Sequence, residues 1–138
     1  MSVEVFLDTN IYLYAASSVA SESEKQRRAS ELIKQNNFGL STQVMQEFYY
    51  NATVKSKKPM SALGALAWLE QFDDLPCVAT DRHLVKTAIA LSIRYKISYW
   101  DGAILAAAEK LGAKIVYTED LNHGQRYGTV TVINPFRP

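Results

Sequence analysis

The hydrophobic positions change their period repeatedly along the chain. "VEVFLD", residues 3 to 8, has the β-branched and aromatic content of a short strand and ends on a carboxylate. Thr9 and Asn10 then offer caps for a helix through "IYLYAA", so a strand is expected to hand over to a helix at Asp8. In "SESEKQRRASELIKQ", 21 to 35, charges run around a helical pattern, which predicts a largely solvated helix stopping before Gly39. "FGLS", 38 to 41, has the length of a strand. "TQVMQEFYYNATV" follows as a helix with Val44, Met45, Phe48, Tyr49 and Ala52 on one face and Glu47 at its border. "KSKKP", 55 to 59, interrupts the pattern before "MSALGALAWLEQF", whose apolar character nearly all the way round predicts a helix packed on two sides.

The second half repeats the alternation. "PCVAT" is expected to be a strand, and Thr80 or Asp81 can cap a helix with Leu84, Val85, Ala88, Ile89 and Ser92 on one side. Ser98 and Asp101 have capping-box spacing ahead of "GAILAAAEKLG", Gly112 ends that helix, and "AKIVYT" and "TVTVINP" read as strands. Strands alternating with helices predict a doubly wound α/β fold of three layers, α/β/α, with a central parallel sheet covered by helices on both faces. The 138 residues suit one domain over 1–138, without a repeat, linker or low-complexity block.

Composition removes several function classes. Fifteen Lys and Arg against 14 Asp and Glu leave a formal charge of +1, so nucleic-acid binding would need a local basic patch rather than a global field. Cys77 has no second cysteine to pair with and no zinc-ligand spacing, and is expected to be reduced and buried. With Glu4 early in the chain and no signal-like or membrane-spanning apolar run, a soluble, cytoplasmic protein is expected.

Ligands of open α/β sheets bind outside the carboxyl ends of the strands, and both Asp8 and Asp120 follow predicted strands. The fold could bring these strand-end acids together at one rim, and Glu47 in a predicted helix and Asp101 at a helix start are considered with them. Taken singly, Asp8 could be a helix cap, Glu47 a solvated helix residue, Asp101 half of a capping box and Asp120 a loop acid. Together, four close carboxylates would repel one another unless a cation intervened. The all-oxygen set suits Mg²⁺, or Mn²⁺, rather than zinc. Such an ion neutralises charge on a transferring phosphate and keeps waters that can act as nucleophile, which is the chemistry of phosphodiester hydrolysis.

In this order the motifs resemble the PIN-domain family of ribonucleases, particularly toxins of the VapC type. "FLDTN" is similar to the opening Asp-x-Asn motif, "MQEFY" to the second-acid segment, "SYWDGAILAAA" to the third and "VYTEDLNHG" to the fourth. The resemblance spans nearly the whole chain. It implies a Mg²⁺- or Mn²⁺-dependent endoribonuclease leaving 5′-phosphate and 3′-hydroxyl ends, with Asp8, Glu47, Asp101 and Asp120 holding the metal, Asn10 orienting the first acid and Thr118 supporting the last. "TED" departs from a single acid. Strand alternation would send Glu119 and Asp120 to opposite sides, so Asp120 is taken as the site residue and Glu119 as its alternate. The resemblance also implies a homodimer, an RNA substrate and a cognate antitoxin that covers or perturbs the acidic site.

RNA approaching acids needs flanking cations, for which Lys55, Lys57 and Lys58 form the densest set, with Arg82 and Lys86 further candidates. Tyr49, Tyr50, Tyr99 and Trp100 could stack on bases, but packing is the simpler role, and Trp100 is expected to anchor the start of its helix. His83 and His123 have no partner spacing and read as surface or cap residues. The competing classes are a non-catalytic Mg²⁺-binding regulatory or RNA-binding module and a housekeeping RNA-processing enzyme, while an interaction role for "ALGALAWLEQF" is compatible with catalysis. A phosphate-accepting receiver is disfavoured because no acid pair stands beside Asp8.

Overall fold

In the computed structural model, residues 3–35 and 37–138 are described. Six strands, β1 (Val5–Leu7), β2 (Phe38–Ser41), β3 (Cys77–Val78), β4 (Ile115–Tyr117), β5 (Arg126–Tyr127) and β6 (Val130–Ile133), form one sheet in the order β3-β2-β1-β4-β6-β5. All neighbours run parallel except the β5/β6 hairpin. Every residue of β1 and of β2 is buried, as a strand covered on both faces requires. The helices are α1 (Thr9–Ala16), α2 (Ser23–Gln35), α3 (Thr42–Tyr50), α4 (Ala62–Glu70), α5 (Arg82–Tyr95) and α6 (Tyr99–Leu111). α6 lies across β2, β3, β4 and β6 with α5 packed on it, while α1 joins α2 and α3, and α3 joins α4. This is the expected α/β/α arrangement with a mostly parallel sheet.

The caps explain where the helices begin. Ser41, Ser61, Asp81 and Ser98 each accept a hydrogen bond from a first-turn N–H, and Asp81 rather than Thr80 caps α5. Gly112 ends α6 with φ +80°, a conformation that favours glycine. Gly102 has a different task. A Cβ there would lie 2.5 Å from the Ala88 carbonyl oxygen, so α6 can approach the α5 backbone only because position 102 lacks a side chain. Gly102→Ala is therefore expected to destabilise the protein by about 2 kcal/mol, the usual scale of overpacking, as a lowered urea midpoint. An unchanged midpoint would show that the helices separate without cost.

Several expectations change. The predicted helix after "FGLS" gives way at Asn51 to a π turn, Asn51–Lys55, in which Ser56 N–H bonds back to the Asn51 carbonyl at 2.9 Å. α4 has one covered side, not two: Ala65 and Leu69 are buried, but Leu63 is 78% exposed. On α5 the buried stripe is Leu84, Ala88 and Leu91, with Ile89 outside it, and Tyr49 of α3 is likewise exposed. Cys77 is exposed rather than buried, because β3 is a two-residue edge strand with its neighbour on one side only. Among the described residues, no helix is long and apolar enough to cross a membrane.

Candidate active site

The sheet places two strand ends side by side. The chain leaves β1 toward β2 on one side and reaches β4 on the other, which makes the β1/β4 boundary the point where strand order reverses. Leu7 pairs with Tyr117, and Asp8 N–H continues the ladder to the Tyr117 carbonyl at 3.0 Å. Asp8 and Thr118 thus emerge together. The Thr118 hydroxyl donates to Asp8 Oδ2 at 2.8 Å and accepts from Asp120 N–H at 3.1 Å, while Asp8 Oδ1 takes the Thr9 N–H at 2.7 Å.

Asp8 is therefore both a helix cap and a buried carboxylate. Burial pushes its carboxyl up to about 7, partly offset by the Thr118 and Thr9 hydrogen bonds and reinforced by the charges of Asp120 and Glu47. Asp101, half-buried at the start of α6, is also raised, first by burial and then by Asp120 and Glu47, against the Ser98 hydroxyl. Two acids on separate elements thus feel the same pair of neighbouring charges, which draws all four into one electrostatic cluster.

The supporting bonds cross the anticipated pairing. Asn10 Nδ2 donates to Asp120 Oδ2 at 3.1 Å and to Thr118 Oγ1 at 3.4 Å, so it holds the last acid, while Thr118 holds the first as well as the 118–120 turn. Glu119 faces away into a separate cluster, accepting from Tyr14 OH at 2.5 Å and pairing with Lys25 at 3.0 Å. Three contacts escape sequence reasoning. The Thr9 hydroxyl donates to Glu47 Oε1 at 2.7 Å, and buried Gln43 reaches both Glu47 Oε2, at 3.4 Å, and the Trp100 carbonyl, at 3.2 Å. The only local signal was Gln43 at i−4 from Glu47 on one helix.

None of the four acids is in an ion pair with Lys or Arg among the described residues. Uncompensated, oxygen-only and mutually repelling, they fit a hard divalent cation. As the side chains stand, no three His, Cys, Asp or Glu among the described residues converge tightly enough to enclose an ion, so the cluster is an open rim rather than a cage. Arg82 and Lys86 lie exposed on α5 and make no hydrogen bond or ion pair with the acids. Trp100 does not anchor its helix as anticipated: its side chain is 62% exposed against Tyr99, and its carbonyl makes the contact to Gln43. Exposed His123 accepts from Asn134 N–H at 3.0 Å.

The sequence model of the PIN domain matches residues 5–128. The chain belongs to the PIN domain family. No match was found among curated proteins. Among solved structures, this PIN domain is similar to a chain of a toxin–antitoxin complex from Klebsiella pneumoniae, with 19% identity, a TM-score of 0.68, and coverage of 98% of this chain and 100% of that one. It is also similar to VapC20 of Mycobacterium tuberculosis, described as a sarcin-ricin loop cleaving toxin, with 16% identity, a TM-score of 0.65, and coverage of 85% and 90%. VapBC2 from Rickettsia felis, bound to a DNA fragment from its promoter, matches with 21% identity, a TM-score of 0.61, and coverage of 93% and 96%. At these identities the PIN fold is what the chains share.

Proposed function

We propose that this PIN domain is a divalent-metal-dependent endoribonuclease and the toxin of a toxin–antitoxin pair. The observation that carries the reading is the electrostatic cluster of Asp8, Asp120, Glu47 and Asp101 at one strand-end rim, none of them in an ion pair with Lys or Arg among the described residues. Asp8, Glu47, Asp101 and Asp120 would hold Mg²⁺ or Mn²⁺, which supplies charge neutralisation for the phosphate and a lowered pKa for water. The chain's own residues supply position. Thr118 and the Thr9 N–H fix Asp8, Asn10 fixes Asp120, and Thr9 with Gln43 fixes Glu47, so that three acids are oriented before substrate arrives. A carboxylate of the rim takes the proton of the attacking water, the water oxygen bonds to phosphorus, and the P–O3′ bond breaks as O3′ takes a proton from solvent water, leaving a 5′-phosphate and a 3′-hydroxyl.

The likeness to chains of toxin–antitoxin complexes supports a cognate antitoxin, and a homodimer is proposed with it. The purified protein is expected to cut end-labelled single-stranded RNA with Mg²⁺ or Mn²⁺ and to stop with chelator. Absence of cutting on several unrelated RNAs would favour a Mg²⁺-binding or RNA-binding module without catalysis. In cells, induction is expected to arrest growth, with rescue by the adjacent small gene. Arrest without rescue, or no arrest, would instead favour a housekeeping RNA-processing enzyme.

A further inference from the structure

Beside the acidic rim lies an open groove of about 360 Å³ between the end of α1, the 3₁₀ turn Ala20–Glu22 and the Asn51–Met60 segment. Its volume falls in the range of small-ligand sites. Leu13, Val19, Ala52 and Met60 give it an apolar wall, and Asn10 and Asn51 put amides along it. Lys55, Lys57 and Lys58 stand on its rim, and none of the three is in an ion pair among the described residues. Lys58 donates to the Ser18 carbonyl at 3.3 Å, across the groove, and the Lys55 ammonium sits 5.6 Å from the centre of the Tyr50 ring. Neither contact removes a charge. Glu22, the carboxylate among the described residues that line the groove, accepts from Ser17 Oγ at 2.6 Å rather than pairing with a lysine.

Two features tie the groove to the acids. Asn10 lines it and holds Asp120, and α3, which carries Glu47, runs on through the π turn that carries Asn51, Ala52 and Lys55 to the groove. π turns in helices occur often at functional sites. We infer that this groove is the subsite for a nucleotide of single-stranded RNA flanking the scissile phosphate, with the apolar wall and amides taking the base and the three lysines its neighbouring phosphates. The inference rests on the ribonuclease reading and adds where the substrate strand lies. An RNA strand brings a negative charge at every nucleotide and a flat apolar base between them, which matches unpaired lysines above an apolar wall. A polypeptide would need acidic side chains at matching places, so it is the alternative occupant that the test distinguishes.

The test uses the full-length Asp101→Asn protein with Mg²⁺, so that RNA is not cut, and follows the anisotropy of fluorescein-labelled decauridine and decaadenosine over a salt series. Lys55→Gln, Lys57→Gln and Lys58→Gln together are expected to weaken binding roughly tenfold and to flatten the log–log salt slope by about 2, since each single-strand phosphate contact contributes about 0.7. Lys34→Gln, Lys114→Gln and Arg137→Gln together change the net charge equally on exposed positions outside the groove, and are expected to have much less effect. Ala16→Phe, which fills the groove, is expected to weaken binding while leaving the slope nearly unchanged. Thermal unfolding checks that each variant folds, and the lysine triple carries the test if Ala16→Phe does not. Equal losses in both triples, or no loss in either, would overturn the subsite and leave the groove to a polypeptide. If the parent binds neither decamer while the wild type cuts RNA, the subsite falls alone; if the wild type neither binds nor cuts RNA, the ribonuclease reading falls with it.

Discussion

Asp101→Asn is expected to remove RNA cleavage, lowering the initial rate by at least about 10²-fold, while the protein stays folded. Asparagine keeps the size of the side chain and deletes the charge. The start of α6 does not depend on that charge, because the cap is made by Ser98 Oγ accepting from the Asp101 backbone N–H at 3.1 Å. Nor does folding gain from it, since burial and the neighbouring Asp120 and Glu47 already disfavour the ionised form. The melting temperature should therefore hold or rise as activity falls, which separates loss of chemistry from loss of structure. Initial rates on end-labelled RNA, read beside thermal unfolding, check this. Cleavage surviving at the wild-type rate would remove Asp101 from the site.

Asp8→Asn is expected to stabilise the metal-free protein at pH 8 and to destabilise it slightly, by up to about 1 kcal/mol, at pH 4. The Asp8 carboxyl titrates near 7 in the folded chain, against an ordinary 3.8, because it is buried. Between these values the folded state binds a proton that the unfolded chain does not. Stability contributed by neutral Asp8 is thus present below about pH 4 and is lost as pH rises toward 7. The loss is on the order of 4 kcal/mol. Asparagine avoids it but satisfies only one of the two donors, Thr9 N–H and Thr118 O–H, at a cost of about 1 kcal/mol, which leaves a gain of about 2 to 3 kcal/mol at pH 8. Thermal unfolding with chelator at both pH values measures the difference, and adding Mg²⁺ at pH 8 should raise the wild type more than the variant. Parallel pH profiles for the two proteins would mean that Asp8 is not the strained group.

Much of this arrangement was legible in the sequence because its signals are local. The caps Ser98 and Gly112 bracket α6 within fifteen residues, and the apolar run before Asp8 marks a strand end by itself. β5 was not legible, since Arg126–Tyr127 forms a strand only through its pairing with Thr131 and Val130. The acids could be named from their motifs, but their supports could not. Thr9 meets Glu47 across 38 residues, Gln43 meets Trp100 across 57, and Asn10 meets Asp120 across 110, and such contacts leave no period to read. The choice between Glu119 and Asp120 shows the same limit. Strand alternation separates the two, but it is Tyr14 and Lys25, far back in the chain, that draw Glu119 aside.

The π turn at Asn51–Lys55 adds a historical and practical dimension to α3. A π turn carries one residue more than the α-helical turn it replaces, so deleting a single residue there would restore the α pitch and rotate the exit of the helix, where the lysine loop begins, by about 100°. Glu47 lies upstream and would stay in place, whereas Lys55, Lys57 and Lys58 would swing to a different side. One-residue insertions and deletions at this point thus offer a route by which descendants of this chain can move the lysines of the proposed RNA subsite without altering Glu47, one of the acids proposed to hold the metal.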